Sequence, residues 1–481
     1  MNIIPQNFIN VLKNEIKNVI NDKIDAFVDN IADIFNSNNS LDKYSNIFIT
    51  ADKTAKEIIL NVIKTLLENI DNRFKHSDLR LKNYVINKSN VSRTITTIFG
   101  DLTFCRTYYQ SRFDKSLHFL LDESLELEKY DKYDHLVKAL AIDNAFNTNQ
   151  KKSGEIIGKQ ITPFIQLFDK NAIKTIPRQS INNWINEWNV PDFEYPERDT
   201  PNVLFIMVDE KFLGCQDLKN DIMVKTFVSF EDVKNTSKSR RKLLNRLVFS
   251  TYNKNAWGEY VNWLYKIYDS EKIKTIYLMS DGGTWIKTGI DELKTNPNQV
   301  IKRLLCEFHL KQAINRMTTD KDFREIINIS FKEDKKKDFI SLTNNLLIIT
   351  PDKKNTIEKN INYISKNYKA MKDMVDFEIG SSMESHISHC IASYFASRPK
   401  GYSSLKISKY LKINDYNNNN INILNLYLKS YNKSNVITIN SDSIHIFDYK
   451  QSSNMPILYS NNVDIKTLFD LNKIKTANVI I

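Results

Sequence analysis

The stretch NVLFIMVD, residues 202–209, decides the fold. Six apolar residues in a row, Val203 to Val208, read as a buried strand, and the run ends on a carboxylate, Asp209. The pattern recurs in KTIYLMSDGG, residues 274–283, where a second buried strand stops just short of Asp281. Further strands are expected over Ile222 to Phe230, Leu243 to Tyr252 and Val300 to Cys306, with a helix marked by Trp257, Val261, Leu264, Tyr265 and Tyr268. Strands followed by a helix and more strands make an α/β layer fold. In open sheets of this kind functional groups gather at strand ends, where the backbone opens onto a crevice.

Upstream, apolar residues at Ile9, Leu12, Ile16, Val19, Ile24, Phe27, Ile31 and Ile34 recur at helical spacing. A second stripe, Ile58 to Ile70, predicts another helix with Asp52 as its N-cap. RTITTIFGDLTFCRTYY, residues 93–109, alternates as strands do and predicts a β-hairpin turning near Gly100. Short helical pieces follow: Ser153 to Gln160, a break near Pro163, then PRQSINNWINEW, residues 177–188, with Pro177 at the first helical position. These pieces suit a helix-turn-helix whose polar face, Arg178, Gln179, Asn182 and Asn183, reaches phosphates and base edges. A merely solvated face accounts for the same pattern. Downstream, residues 311–380 are helical and charged and are broken at Thr350-Pro351. A final helix, Ser381 to Ser397, is stopped at Arg398-Pro399-Lys400-Gly401. Asn417 to Asn420 reads as a loop, and residues from Val436 onward carry weak strand character.

Two carboxylates held side by side repel each other unless a divalent cation lies between them. Hard cations such as Mg²⁺ or Mn²⁺ take oxygen ligands, and two of them can serve both the attacking and the leaving oxygen of a phosphoryl transfer. Asp209 and Asp281 are the candidates. Glu210 is the next acid, but the two-residue period of a strand sends it to the opposite face. From spacing alone, Asp281-Gly282-Gly283 reads equally as a plain turn.

A resemblance to a known family narrows the choice. Asp281-Gly-Gly-Thr-Trp285-Ile-Lys287-Thr-Gly289 resembles the DGxxWIKxG block of the ISLre-type insertion-sequence transposases, DDE enzymes related to Mutator-like transposases. Gly380-Ser-Ser-Met-Glu384-Ser-His386-Ile-Ser-His389, continuing through Ser397-Arg398-Pro399-Lys400-Gly401-Tyr-Ser403, is similar to the family's GCSxEGHVSHxxxxRxSSRPMGWS block. Phe99 to Tyr109 is similar to its FGEVTFxRxxY hairpin. Ser381, Ser385 and Lys400 depart from the usual Cys, Gly and Met.

The resemblance implies that Asp209, Asp281 and Glu384 hold two Mg²⁺ or Mn²⁺ ions on an RNase H-like core. It also implies DNA cleavage and strand transfer, with double-stranded DNA (terminal inverted repeats and target) as partner and at least a homodimer assembled on it. The organisation it implies has a helical region, 1–90, as a candidate oligomerisation surface, a β-hairpin region, 91–130, and a helix-turn-helix-like region, 131–195. The core's first part, 196–310, an all-α insertion, 311–380, the helix carrying the third acid, 381–412, and a C-terminal region, 413–481, follow. A silent DNA-binding derivative and a nuclease without strand transfer are the alternatives.

Cys306-x-x-His309 and the pair His386 and His389 have ligand-like spacing, giving either a Cys-His-His-His zinc site or structural packing. On a regular helix the two later histidines lie about 140–200° around the axis from Glu384, away from its metals. Lys287, Arg398 and Lys400 are candidate phosphate contacts, and Trp285 is read as core.

Bulk properties agree with this class. A chain of 481 residues is expected to form two to four domains, and a net charge of +11 favours polyanionic partners through counterion release. Four scattered cysteines exclude a disulfide framework, and the lack of a long apolar run excludes a membrane span. The expected setting is cytoplasmic, at the nucleoid.

Overall fold

The computed structural model describes residues 6–36, 42–235, 241–305, 307–333, 335–375, 377, 390, 391, 395 and 402–434. Its contacts divide the chain into two compact units, Met1–Asn189 with Ile423–Ile481, and Val190–Asn422.

In the first unit α1 (Gln6–Asn36) and α2 (Lys43–His76) run antiparallel, joined by Lys23 to Glu57 at 2.7 Å and Asn69 to Glu15 at 2.9 Å. Asp42, not Asp52, caps α2 by accepting from Ser45 N at 2.8 Å. The helix starts earlier than the Ile58 to Ile70 stripe because Tyr44, Ile47 and Phe48 already extend the apolar pattern. Asp52 sits inside it, paired with Lys56 at 3.0 Å. After α3 (Asp78–Asn83), β1 (Tyr84–Thr97) and β2 (Gly100–Ser111) form the expected hairpin, and Gly100 takes the φ of +119° that its turn requires.

Helix α2 lies on this hairpin, where Asp71 accepts from Thr107 N at 3.0 Å and from its hydroxyl at 2.7 Å. Leu67, Phe74, Ile95, Phe104 and Tyr109 fill the space between them. β3 (Leu117–His118) and α4 (Leu120–Ser124) complete this part. Asp122 of α4 receives two buried guanidinium groups, Arg93 at 2.6 Å and Arg106.

Three helices follow, α5 (His135–Asn147), α6 (Gln150–Ile161) and α7 (Arg178–Glu187), each packed on the other two. Gly154 and Gly158 allow the segment before α7 to lie on α6. A Cβ at either would meet a carbonyl oxygen, of Ile176 at 2.1 Å or of Lys174 at 2.0 Å. Pro177 is the residue before the helix rather than its first member. The helix Ile423–Ser434 packs on α5, and Trp188 Nε1 donates to Ser430 at 2.8 Å.

The second unit is built on a five-stranded mixed sheet. Its members are β4 (Val203–Leu213), β5 (Ile222–Phe230), β8 (Leu247–Thr251), β9 (Thr275–Ser280) and β10 (Val300–Leu305). β6 (Asp232–Asn235) and β7 (Arg241–Leu244) form a separate ribbon. The predicted strand Leu243 to Tyr252 is thus two strands, parted at Asn245, whose φ is +52°. The order in the sheet is β10-β9-β4-β5-β8. β4 pairs antiparallel with β5, as β5 does with β8, whereas β4–β9 and β9–β10 are parallel.

Helices α8 (Ala256–Leu264) and α9 (Thr284–Leu293) cover one face. There Leu204, Ile206 and Val208 are fully buried against Trp257, Tyr260 and Ile286, each such burial stabilising by about 1.5–3 kcal/mol. On the other face Phe205 stacks between Phe230 at 5.1 Å and Tyr277 at 5.3 Å.

Four helices follow the sheet: α10 (Glu307–Met317), α11 (Lys321–Lys332), α12 (Lys336–Ile349) and α13 (Lys354–Val375). Their core, with Ile314, Ile327, Phe331, Phe339 and Ile364, is continuous with Leu305 of β10. α14 (Ser404–Asn418) closes the edge strand β8: Asn419 accepts from Val248 N at 2.6 Å and donates to Val248 O at 2.8 Å, and Asp415 accepts from Ser250 N at 2.6 Å. Asn417 and Asn418 therefore belong to this helix, and the predicted loop begins only at Asn419. The described part of the chain is thus a mixed α/β protein. Within it, no helix is long and apolar enough to cross a membrane. The predicted helix over 381–397 and the weak strands after 436 fall on residues outside those described, apart from 390, 391 and 395.

Candidate metal centre

Asp209 stands on the central strand. β4 and β9 pair in parallel only as far as Met207 and Met279, after which β9 ends and the two backbones separate. Asp209 and Asp281 are the next residues but one on each side of that fork, so topology alone carries them to one crevice. A ligand oxygen from each of Asp209, Glu210 and Asp281 lies within 4.8 Å of the others, and all three residues are half-buried.

Glu210 is the surprise. The strand period does place it on the opposite face: Val208 faces the α8–α9 core, as Glu210 then must. Beyond the end of β9, however, β4 has no paired strand on that side among the described residues, and a Glu210 carboxylate oxygen still comes within 4.8 Å of those of the two aspartates. β4 also continues four residues past Asp209, to Leu213, paired with β5 alone.

Each acid is held by local bonds. Asp209 Oδ1 accepts from Glu210 N at 2.8 Å, and Asp281 Oδ1 accepts from Gly283 N at 2.9 Å. Gly282 has φ +90°, which calls for glycine, and a Cβ there would press on Leu305 Cδ2 at 3.1 Å. The Asp281 carbonyl accepts from the Tyr363 hydroxyl of α13 at 2.5 Å.

Glu210 Oε2 accepts from the Trp285 indole N–H, and the Trp285 carbonyl in turn accepts from Trp257 Nε1 at 3.0 Å. Directly across the ladder from Glu210 is Lys225, whose ammonium lies 5.2 Å above the Trp285 ring and donates to the carbonyls of Asn253 at 3.2 Å and Lys254 at 3.3 Å. Burial pulls this ammonium below the usual lysine range, while Glu210 and Glu259 act against that shift. Sequence reading missed Lys225 and took Trp285 for plain core. An opposite-charge cross-strand pair was the available sign, but it needs a register that only the sheet supplies.

All-oxygen donors suit a hard cation. Oxygens sharing one Mg²⁺ lie at most about 4.2 Å apart. Groups within 4.8 Å of one another would therefore need only a small closure to hold one such ion.

Glu384, Cys306, His386, His389, Arg398 and Lys400 lie outside the described residues. His309 is half-buried on α10, with its ring 5.4 Å from that of Phe308. Lys287 is exposed on α9. Arg178, Gln179 and Asn183 are exposed on α7 and Asn182 is half-exposed, with Gln179 donating to Asn183 at 2.7 Å.

The profile of an uncharacterised protein family, UPF0236, matches residues 33–423, a span that contains all three acids of the crevice. The chain belongs to UPF0236. Curated UPF0236 proteins from Caldanaerobacter subterraneus subsp. tengcongensis are similar to it. One is 26% identical over 375 residues, covering 75% of this chain and 74% of its own, and its name joins eleven loci of that genome. A second is 24% identical over 375 residues, covering 75% of each chain. A third, whose name joins four loci, is 24% identical over 364 residues.

Proposed function

We propose that this UPF0236 protein is a DDE transposase, which cuts and joins DNA with divalent metal ions. The observation that carries the reading is the meeting of Asp209 and Asp281 at the fork between β4 and β9, the two positions that the transposase blocks single out. Three further features support it. The strand order β10-β9-β4-β5-β8, with three antiparallel strands followed by two parallel ones, is the arrangement an RNase H-like core calls for. The helices α10–α13 follow its last strand, where the family's insertion is expected. Relatives whose names span eleven and four loci of one genome fit an element that multiplies within its host.

In this reading Asp209 and Asp281 hold Mg²⁺ or Mn²⁺, with Glu384 as the third acid by resemblance and Glu210 as a further carboxylate tethered by Trp285. Bound ions would activate the attacking oxygen and stabilise the leaving one. The chain's own part is to fix the carboxylates before substrate arrives, through Gly283 N and Trp285 Nε1, while the Tyr363 hydroxyl holds the backbone carbonyl of Asp281. α7 is the candidate helix for reading the element's ends. The exposed apolar residues Ile24, Val28, Phe35 and Phe48 on α1 and α2 supply a surface for dimerisation.

The test is Asp281→Asn. It should keep the affinity for end-containing duplex DNA and abolish Mg²⁺-dependent nicking and strand transfer. Nicking at the wild-type rate would remove Asp281 from the chemistry. Nicking by the wild-type chain without joining would identify a nuclease.

A further inference from the structure

Between α10 and α11 lies a cleft of about 380 Å³, lined by Lys311, Lys321, Arg324 and Lys332 against the one carboxylate of Glu325. On α11 the residues Lys321, Arg324, Asn328 and Lys332 follow i, i+3, i+7, i+11, which confines them to roughly 80° of the helix circumference. They border the buried stripe of Ile327, Ser330 and Phe331, so the packing of α11 fixes the direction in which this basic row points. Arg324 Nε donates to Thr318 O at 2.7 Å, which orients the guanidinium by its inner edge. Among the described residues Lys321, Arg324 and Lys332 take part in no ion pair, in contrast to Lys335, which meets Glu333 at 2.6 Å.

Three like charges on α11, Lys321, Arg324 and Lys332, repel each other around this concavity, with Glu325 as the carboxylate among the lining residues. A polyanion relieves that repulsion. The row from Lys321 to Lys332 is about 16 Å long, the axial rise of roughly five nucleotides along one DNA strand. A single small anion would use only one end of it.

We infer that the α10–α11 cleft grips the phosphodiester backbone of duplex DNA, as a sequence-independent hold on the helices that follow the sheet. This rests on the reading of DNA as the substrate, but its test is separable from catalysis. Binding of a fluorescein-labelled duplex of arbitrary sequence to the full-length chain is followed by anisotropy over a salt series. Lys321→Gln/Arg324→Gln/Lys332→Gln should make the slope of log Kd against log salt shallower by about 2–3, that is about 0.9 for each phosphate no longer neutralised. The single changes Lys321→Gln and Lys332→Gln, at exposed positions, should each remove about 0.9, so the outcome does not depend on the triple variant folding. Lys321→Arg/Lys332→Arg should keep the slope.

An unchanged slope in the neutralised variants overturns the inference. So does loss of inorganic phosphate binding in calorimetry with the duplex slope intact, since the cleft would then take the free anion. A reduced slope alongside a wild-type chain that never nicks DNA upholds the cleft and rejects the transposase reading. Normal nicking with an unchanged slope does the reverse.

Discussion

Replacing Gly289 by alanine sets two forces against each other in one helix. Gly289 lies inside α9, where helix propensity alone favours alanine by about 0.8–1.0 kcal/mol. Packing opposes it. A Cβ there would lie 2.0 Å from Trp257 Cε2, 2.2 Å from Cδ2 and 2.3 Å from Cζ2. Carbon atoms rest at about 3.5–4.0 Å, so α9 would have to withdraw from the indole by roughly 1.5 Å. Trp257 has little room to yield: it is 5% exposed, its Nε1 is bonded to Trp285 O, and its ring meets that of Phe227 at 4.8 Å.

Overfilled cores lose about 1–3 kcal/mol, and so deep an overlap belongs at the top of that range. About 3 kcal/mol against about 0.9 leaves a net loss near 2 kcal/mol. With a urea dependence of about 2 kcal/mol per molar, the midpoint should fall by about 1 M. Tryptophan fluorescence reports on this unit through Trp257, Trp263 and Trp285. Gly283→Ala is the control, because its nearest neighbours, at 3.4 and 3.5 Å, leave space for a methyl group. A midpoint for Gly289→Ala equal to or above that of the wild type would refute the packing argument and leave propensity in charge.

Three other changes have definite signs. Trp285→Phe removes the indole N–H from Glu210, and Mn²⁺ affinity measured by calorimetry should weaken by about tenfold or more, the worth of one hydrogen bond to a charged group; unchanged affinity would free Glu210 from the site. Asp122→Ala leaves Arg93 and Arg106 buried without a counter-charge and should destabilise the first unit by about 3–5 kcal/mol in urea melts, with a loss under 1 kcal/mol contradicting this. Burial holds the Asp415 carboxyl well above the usual carboxylate range, against the pull of its Ser250 bonds. The native state therefore binds its proton more tightly than the unfolded chain does. The stability it contributes is full below about pH 4 and is lost as pH rises towards the raised native value. Asp415→Asn should flatten that fall in urea midpoints as pH rises above about 4, and an unchanged slope would assign it to other groups.

The parts of this architecture that are legible in the sequence are those written in short-range pattern. β5 runs from Ile222 to Phe230, as its apolar run indicates, and the hairpin turns at Gly100. Asp209 and Asp281 stand out because each follows a run too apolar to be anything but buried strand. Sequence pattern misleads where neighbours in space decide. Glu210 is sent away from the crevice by a rule that holds for side chains within a sheet and lapses where the adjoining strand stops. Lys225 and Trp285 acquire their parts only through the β4–β5 register and the packing of α9. Asn417 and Asn418, a loop by composition, are drawn into α14 by the burial of Ile413 and Tyr416 alongside.

The Tyr363 hydroxyl on the carbonyl of Asp281 bears on any attempt to trim the molecule. A run of four helices between a strand and the rest of a domain invites treatment as a removable cassette. Here its longest helix seals the peptide group of an acid in the crevice, and its interior shares Leu305 with the sheet. Cutting it out would leave that carbonyl without its donor and strip the flank of β10, so a minimal version of this protein has to keep the helical segment whole.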